Sequence, residues 1–438
     1  MKPSLLALYA LGGLSLAVAP PVHAALEPED SYERDDDRED AHEVHEPETR
    51  ESEDHEATEN EEHEDSESEE HEAGEDDDGD SDGGTSHSFL REVSDDEHPD
   101  YDEQRFPIVH DEVIGLDLSE HALALVTAQG FAVIDTTRLA SLHSEVTRFK
   151  VPTGMRVIEA AALLRQIDPH ATVAPAHYYV SPASRRESRR TRGPVNHSMS
   201  VRRTIRLRIG MIDSSVDPHP MLSATSITRR QFGSNVIDPA GHGTAVASVL
   251  AQNGATEILA ANVFRGGDGR QFTTSDAIIR GLDWLIGQRV PVINISLAGP
   301  RNAVLDTLFA RALANGHVIV AAAGNGGPTA PPAYPAALDG VVAVTAVDAQ
   351  HRVYRYANRG DYIRVSALGV AISAAAPRNM QANYSGTSFA APLVAAIIAR
   401  CASDVAPANS RCITAMEATA LDLGAPGRDS IYGLGLVR

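Results

Sequence analysis

The sequence predicts an α/β fold, a mostly parallel sheet with helices on both faces, preceded by a small α+β unit and a disordered acidic region. Three observations predict it. From Arg206 onward, strand-like apolar runs alternate with stretches of helical spacing: "RLRIGMID", "GTAVASVLA", "EILAANVF", "SDAIIRGLDWLIGQ", "VPVINIS", "AVLDTLFARALANG" and "HVIVAAA". Such alternation implies right-handed crossovers between parallel strands. Upstream, "PIVHDEVIGLDL" and "FAVID" read as short strands, and "VIEAAALLRQI" spaces its apolar residues as a helix does. Finally, Glu27 to Glu103 hold 38 Asp and Glu against four Arg, a net of −34, so the chain's −25 leaves +9 for everything else. The acidity belongs to one segment and not to the fold.

Each segment follows in order. Lys2 precedes an apolar stretch from Leu5 to Val18, and Val22-His23-Ala24 offers small residues where a signal peptidase cuts. Residues 1–24 therefore read as a cleaved secretory signal. The stretch is short for a membrane span and is broken by Gly12, Gly13 and Pro20. No later run approaches the roughly 20 apolar residues of a spanning helix, so a secreted or periplasmic protein is expected, with no membrane association after signal removal. Residues 25–103 have almost no large apolar side chains and cannot offset the entropy of ordering. Seven histidines lie among the carboxylates, which leaves loose binding of calcium or a transition metal as a rival to a solvated polyanion, although fixed ligand spacing is absent. Residues 104–181 make the small α+β unit. Residues 182–203 read as a linker, with five arginines between 183 and 193, and exposed loops of this kind are where proteases cut. A nucleic-acid patch would need interleaved aromatics and would compete with the polyanion upstream, so no nucleic-acid partner is expected. Residues 204–438 carry the parallel-sheet domain.

Active sites in such sheets lie at the carboxyl ends of the strands. Asp213 ends the first strand, and Asn325 stands in "GNGG" just beyond "HVIVAAA". His242 opens a helix between two glycines in "GHGT", and Ser388 stands at the mouth of the apolar helix "GTSFAAPLVAA". Each has a plain structural alternative: Asp213 capping a turn, His242 a surface histidine, Asn325 filling a left-handed turn, Ser388 an N-cap. Taken together at strand ends and helix starts of one sheet, they supply a nucleophile, a base, an orienting acid and an oxyanion donor. A serine hydroxyl is a weak nucleophile at neutral pH and needs such a base.

In the order Asp, His, Asn, Ser, these residues resemble the subtilisin-like serine proteases, or subtilases. The resemblance runs from about Ile209 to Val437, through "IGMIDSSVD", "GHGTAVASVLA", "NISLAG", "AAAGNGG", "YSGTSFAAPLVAA" and "YGLGLV". It implies that Asp213, His242 and Ser388 form the catalytic triad and that Asn325 is the side-chain oxyanion donor. Ser296, Leu297, Ala298 and Gly299 match the family's exposed backbone edge, beside which a substrate strand lies. Ala322, Ala323 and Gly324 match a wall of the primary specificity pocket. Their small side chains imply an open apolar pocket and broad preference. The 104–181 unit resembles the family's prosegment, an inhibitor and folding chaperone, and "AHYY" resembles its C-terminal tail. The resemblance thus implies a secreted serine endopeptidase made as a zymogen, acting on protein or peptide substrates. Its own prosegment would serve as intramolecular inhibitor, and neither cofactor nor metal is implied.

Two other classes stay open on sequence alone: a catalytically silent protease-like binding protein, and a cation-binding acidic secreted protein. Against the first, all four catalytic positions carry competent residues. Lipases and esterases expect a "GxSxG" elbow and a later histidine, whereas Ser388 comes last and sits in "GTS". The sequence departs from the family at Ser215, usually glycine, at Ala245, usually histidine, and at Phe389 and Leu393, usually Met and His. Between Ala251 and Glu257 it lacks the insertion that carries a strong calcium site in many relatives, so no calcium requirement is expected from that site. Cys401 and Cys412, with ten residues between them, read either as one disulfide or as two free buried thiols.

Overall fold

The computed structural model describes residues 100–181, 185–187, 206–233, 241–267, 270–404 and 410–438. The signal segment, nearly all of the acidic region and most of the arginine-rich linker lie outside the described residues. The upstream unit comprises β1 (Asp100–Tyr101), β2 (Pro107–Leu116), α1 (Glu120–Ala128), β3 (Ala132–Leu139), β4 (Ser144–Lys150), α2 (Val157–Ile167) and β5 (Thr172–Val180). Its first strand pairs with β2 and lies upstream of the boundary read at 104. Strands β5, β2, β4 and β3 follow one another in an antiparallel sheet. Strand side chains point alternately to the two faces. Accordingly Val113, Phe149 and Val173 pack with Val126, Val157 and Leu164 of the two helices, while Ile114, Leu116, Val146, Ala174 and Ala176 face the other way.

After β6 (Arg185–Glu187), the remaining elements are β7 (Arg208–Asp213), β8 (Ser226–Gln231), α3 (His242–Gln252), β9 (Glu257–Asn262), β10 (Arg265–Gly267), β11 (Arg270–Thr274), α4 (Ser275–Gly287), β12 (Val292–Ile295), α5 (Ala303–Ala314), β13 (Val318–Ala322), β14 (Val342–Val347), β15 (Val365–Leu368), β16 (Ile372–Ala376), β17 (Met380–Ser385), α6 (Thr387–Asp404) and α7 (Ser410–Glu417). The main sheet runs β15-β14-β13-β12-β7-β9-β8, and every neighbouring pair is parallel. Strands β12 and β13 are buried end to end, as expected of parallel strands covered on both faces. Met211, Val292 and Val320 point to the side of α3 and α6. Their neighbours Ile212, Ile293 and Ile319 point to the side of α4 and α5. This is the fold class the sequence predicts.

Cys401 and Cys412 are joined as a disulfide, with Cα atoms 5.6 Å apart, tying the end of α6 to α7. Closing a loop of this length removes unfolded-state entropy worth about 3 kcal/mol. A Cys401→Ser, Cys412→Ser variant is therefore expected to unfold at a midpoint several degrees lower, and reductant should lower the wild type to match. Equal midpoints with and without reductant would remove the bond from the stability of this protein.

The inner face of the upstream sheet closes onto α4 and α5, and Ile114, Leu116, Ala174 and Tyr179 share one core with Ile278, Leu282, Leu305 and Leu308. The sheet also continues across the boundary, because β5 pairs with β11. Polar contacts fix the alignment. Asp283 accepts hydrogen bonds from the N–H groups of Ser141 and Leu142 at 2.8 and 3.1 Å, and Arg311 reaches Asp117 at 2.9 Å as well as the Ser144 hydroxyl. Arg148 of β4 lies among Glu112 and Asp135, both at 2.9 Å, and Asp276 of α4 at 3.8 Å. Burial pushes the Asp276 carboxyl up, but Arg148, the Thr274 hydroxyl, Arg280 and Arg265 together hold it below its ordinary value.

Arg148→Met is expected to weaken this interface by about 2 kcal/mol, less than a fully broken buried pair because Asp276 keeps Arg280 at 2.7 Å. The depressed Asp276 value sets the pH sign. Its contribution is present above the ordinary carboxylate range and is lost as pH falls through the depressed value, below about pH 4. Thermal midpoints of the full chain across pH 2–7 would check both. A variant whose midpoints match those of the wild type at neutral pH would rule out this contact as a contributor.

Candidate active site

Asp213 is the last residue of β7, fully buried, and its Oδ1 accepts from Nδ1 of His242 at 2.8 Å and from the N–H of Ser214 at 2.7 Å. His242 is the first residue of α3 and is 8 % exposed. The close seating of α3 on the end of β7 explains Gly243. A Cβ there would meet the Ser214 carbonyl oxygen at 2.4 Å, and its N–H donates to the Ser214 hydroxyl at 2.9 Å. Phe389 packs against the imidazole, ring centres 5.7 Å apart, and Tyr384 packs in turn on Phe389 at 5.1 Å. The departure at 389 thus places an aromatic ring beside the histidine. Ala245 is fully buried in the core below.

Ser388 is the second residue of α6 and fully buried. Among the described residues its Oγ has no hydrogen-bond partner, so it does not cap the helix, and Nε2 of His242 and Oδ2 of Asp213 are buried without one as well. Buried polar atoms nearly always find partners, so three unpartnered ones on Asp213, His242 and Ser388 single these residues out as a candidate site. The carbonyl of Ser388 has a particular arrangement. Four residues on stands Pro392, which has no N–H to complete the helical bond. The Ser296 hydroxyl donates to that carbonyl instead, at 3.2 Å, and itself accepts from Nδ2 of Asn294 at 3.1 Å. This use of Ser296 is invisible to sequence reading, which takes the residue as part of a backbone edge.

Asn325 follows Gly324, whose φ of 107° favours glycine and whose absent side chain leaves room for Asn358. Asn325 itself is not left-handed. Its Oδ1 accepts from both the N–H and the hydroxyl of Thr387 at 3.0 Å. That commits the oxygen end of the amide to Thr387, and Nδ2 lies against Gly386 beside Ser388. Thr387 also accepts from the N–H of Gly324 at 3.2 Å. Sequence reading missed this role of Thr387, although its place in "GTS" was the available signal. Ala322, Ala323 and Gly324 are all buried, and the Ala323 carbonyl accepts from the Tyr362 hydroxyl at 2.8 Å.

Along the candidate substrate edge, Ser296 and Leu297 are fully buried. Ala298 exchanges two hydrogen bonds of 3.0 Å with Val180 of β5, whereas Gly299 exchanges its two with Tyr334. The end of β5 is therefore held on one side by Ala298 and on the other by Phe272, Thr273 and Thr274 of β11. Just past it, Arg185, Arg186 and Glu187 form β6, antiparallel to Ser385, Tyr384 and Asn383 of β17. Part of the segment read as a linker is thus in a sheet next to the candidate site.

The geometry defines a class, and the comparisons agree with it. Residues 206–435 match the Subtilase family, more than half of the chain, and the chain belongs to that family. It is 32% identical over 246 residues to the minor extracellular protease Epr of Bacillus subtilis, an alignment covering 53% of this chain and 38% of that protein. Subtilisin DY of Bacillus licheniformis is 32% identical over 253 residues, covering 53% of this chain and 88% of that protein. In fold it resembles fervidolysin of Fervidobacterium pennivorans, a keratinolytic enzyme related to subtilisin, with a TM-score of 0.64 at 20% identity over 78% of this chain and 61% of that one. Among the described residues, no helix is long and apolar enough to cross a membrane.

Proposed function

We propose that this chain is a secreted serine endopeptidase, made as a zymogen, with Asp213, His242 and Ser388 as triad and Asn325 as oxyanion donor. The buried Asp213–His242 contact at 2.8 Å, beside a Ser388 hydroxyl that has no partner among the described residues, carries this reading. With Nδ1–H donating to Asp213, the basic nitrogen of His242 is Nε2. It takes the Ser388 proton as Oγ attacks the scissile carbonyl carbon. The carbonyl becomes an oxyanion that accepts from Nδ2–H of Asn325 and from the Ser388 N–H at the helix start. His242 returns the proton to the leaving nitrogen, and the acyl-enzyme is then hydrolysed by a water deprotonated at the same Nε2. Apo catalytic contacts are commonly loose and tighten on substrate. Ser296, Leu297, Ala298 and Gly299 supply the substrate edge, and Ala322, Ala323 and Gly324 a wall of the primary pocket.

The 104–181 unit acts as inhibitor. Its support is the antiparallel seating of Val180 on Ala298, together with β6 on β17, three residues before Ser388. The chain between Val180 and Arg185 is the segment to be cut, and the severed tail keeps its backbone hydrogen bonds. Before cutting, the tether raises its local concentration towards the millimolar range. Secretion rests on the N-terminal signal pattern and on relatives such as the extracellular Epr protease.

Expressing the wild type and Ser388→Ala side by side tests the reading. The wild type is expected to yield a shorter protein with its new N-terminus between Pro182 and Arg185, and the variant to remain full-length after signal removal. If both accumulate at one length and the wild type is fully active, self-processing and prosegment inhibition are wrong.

A further inference from the structure

A proline inside a helix removes one rung of the hydrogen-bond ladder, because it has no N–H to give the carbonyl four residues back. In α6 that proline is Pro392, buried, and the carbonyl is that of Ser388. A buried acceptor left without a donor costs stability, and here the donor comes from the sheet. The Ser296 hydroxyl, one residue past the end of β12, reaches the carbonyl at 3.2 Å from 92 positions away in the chain. Its proton is directed there because Nδ2 of Asn294 donates to the same hydroxyl oxygen at 3.1 Å. All three residues are fully buried, and hydrogen bonds in so dry a setting are firm. On the other flank, Asn325 takes the N–H and the hydroxyl of Thr387. The turn that bears the Ser388 hydroxyl is thus gripped from both sides by residues just beyond the carboxyl ends of β12 and β13.

We infer that the Ser296 side chain is a positioning residue for the nucleophile: through the Ser388 carbonyl it sets the Ser388 hydroxyl in register with the strand along which substrate lies. The inference rests on the protease reading above. Ser296 stands two residues before Ala298, which exchanges hydrogen bonds with Val180, so one residue belongs both to the candidate substrate edge and to the support of the nucleophile. A bond from within α6 would fix Ser388 relative to its helix. The bond from Ser296 fixes it relative to the edge, and therefore to a carbonyl carbon held along that edge. Attack by Oγ needs this separation to be kept, since a displacement of about 1 Å can cost about a hundredfold in rate. With no N–H at Pro392, the helix does not compete for the carbonyl.

The test is a double-mutant cycle of Ser296→Ala and Pro392→Ala, made in the full-length chain and read on the active enzyme it releases. Ser296→Ala is expected to lower kcat on a quenched fluorescent peptide by about 10- to 100-fold while KM stays nearly level. Labelling by a serine-directed fluorophosphonate should slow by a similar factor, because that probe reads the nucleophile without pairing to the substrate edge. The thermal midpoint should fall too, since the carbonyl loses its donor. Pro392→Ala offers the carbonyl an N–H from within the helix. In that background Ser296→Ala should cost little in midpoint yet lower kcat by the same factor as in the wild type, because a helical bond satisfies the carbonyl without tying it to the edge. Recovery of kcat together with the midpoint in the double variant would overturn the inference, leaving Ser296 as a substitute for a lost helical bond. Undiminished kcat in Ser296→Ala, or reduced kcat with labelling at the wild-type rate, would overturn it as well. If Ser296→Ala does not fold, the double variant against Pro392→Ala alone decides. A wild type that neither cuts casein nor takes the label sinks the protease reading, and the inference with it.

Discussion

Ser388→Ala is expected to reduce peptide hydrolysis by about 10⁶ in kcat, the size of the loss a subtilisin suffers when its own nucleophilic serine is removed. Labelling by a serine-directed fluorophosphonate should vanish with it. The structure adds an expectation about stability. Because Oγ is buried without a partner among the described residues, its removal deletes an unsatisfied polar atom and breaks no hydrogen bond among them. The thermal midpoint should therefore stay level or rise slightly while activity disappears. Undiminished labelling of the variant would refute Ser388 as nucleophile, and a large fall in midpoint would show that the hydroxyl serves the fold.

Asn325→Ala is expected to lower kcat by roughly 10²–10³ with KM little changed, again a magnitude taken from a subtilisin. The reason is that an amide donor meets full negative charge only when the carbonyl oxygen has become an oxyanion. Here the substitution also touches the fold. Oδ1 accepts two hydrogen bonds from Thr387, so the variant should lose about 1–2 kcal/mol of stability as well. Steady-state kinetics and unfolding on the same preparation separate the two effects. A raised KM with normal kcat would assign Asn325 to substrate binding.

Much of the scaffold was legible because its signals are local. β13 is an unbroken apolar run and β12 is broken only by Asn294, as a sheet covered on both faces requires. α5 announces itself through Asn302, whose Oδ1 accepts from Val304 and Leu305, followed by a buried stripe at helical spacing. β8 is different. "SITRRQ" is mostly exposed and has no apolar period; it is a strand because its backbone pairs with the free edge of β9. The same holds for β6, read as linker and drawn into a sheet by β17. Edge pairing depends on a partner distant in sequence, and composition carries no trace of it.

By itself the sequence determined on which kinds of element the candidate residues stand. Asp213 at a strand end, His242 between glycines and Ser388 in the first turn of an apolar helix are local patterns, each imposed by neighbours within one turn or one strand. Tertiary structure alone decided how they meet: Asp213 against His242 across 29 residues, Thr387 on Asn325 across 62, Ser296 on the Ser388 carbonyl across 92. It also decided that Tyr179 lies under Gly299 with its hydroxyl on Pro300, across 121 residues. No local propensity encodes such contacts, because they follow from which faces the whole core buries against one another, a sum of many weak packing terms spread along the chain.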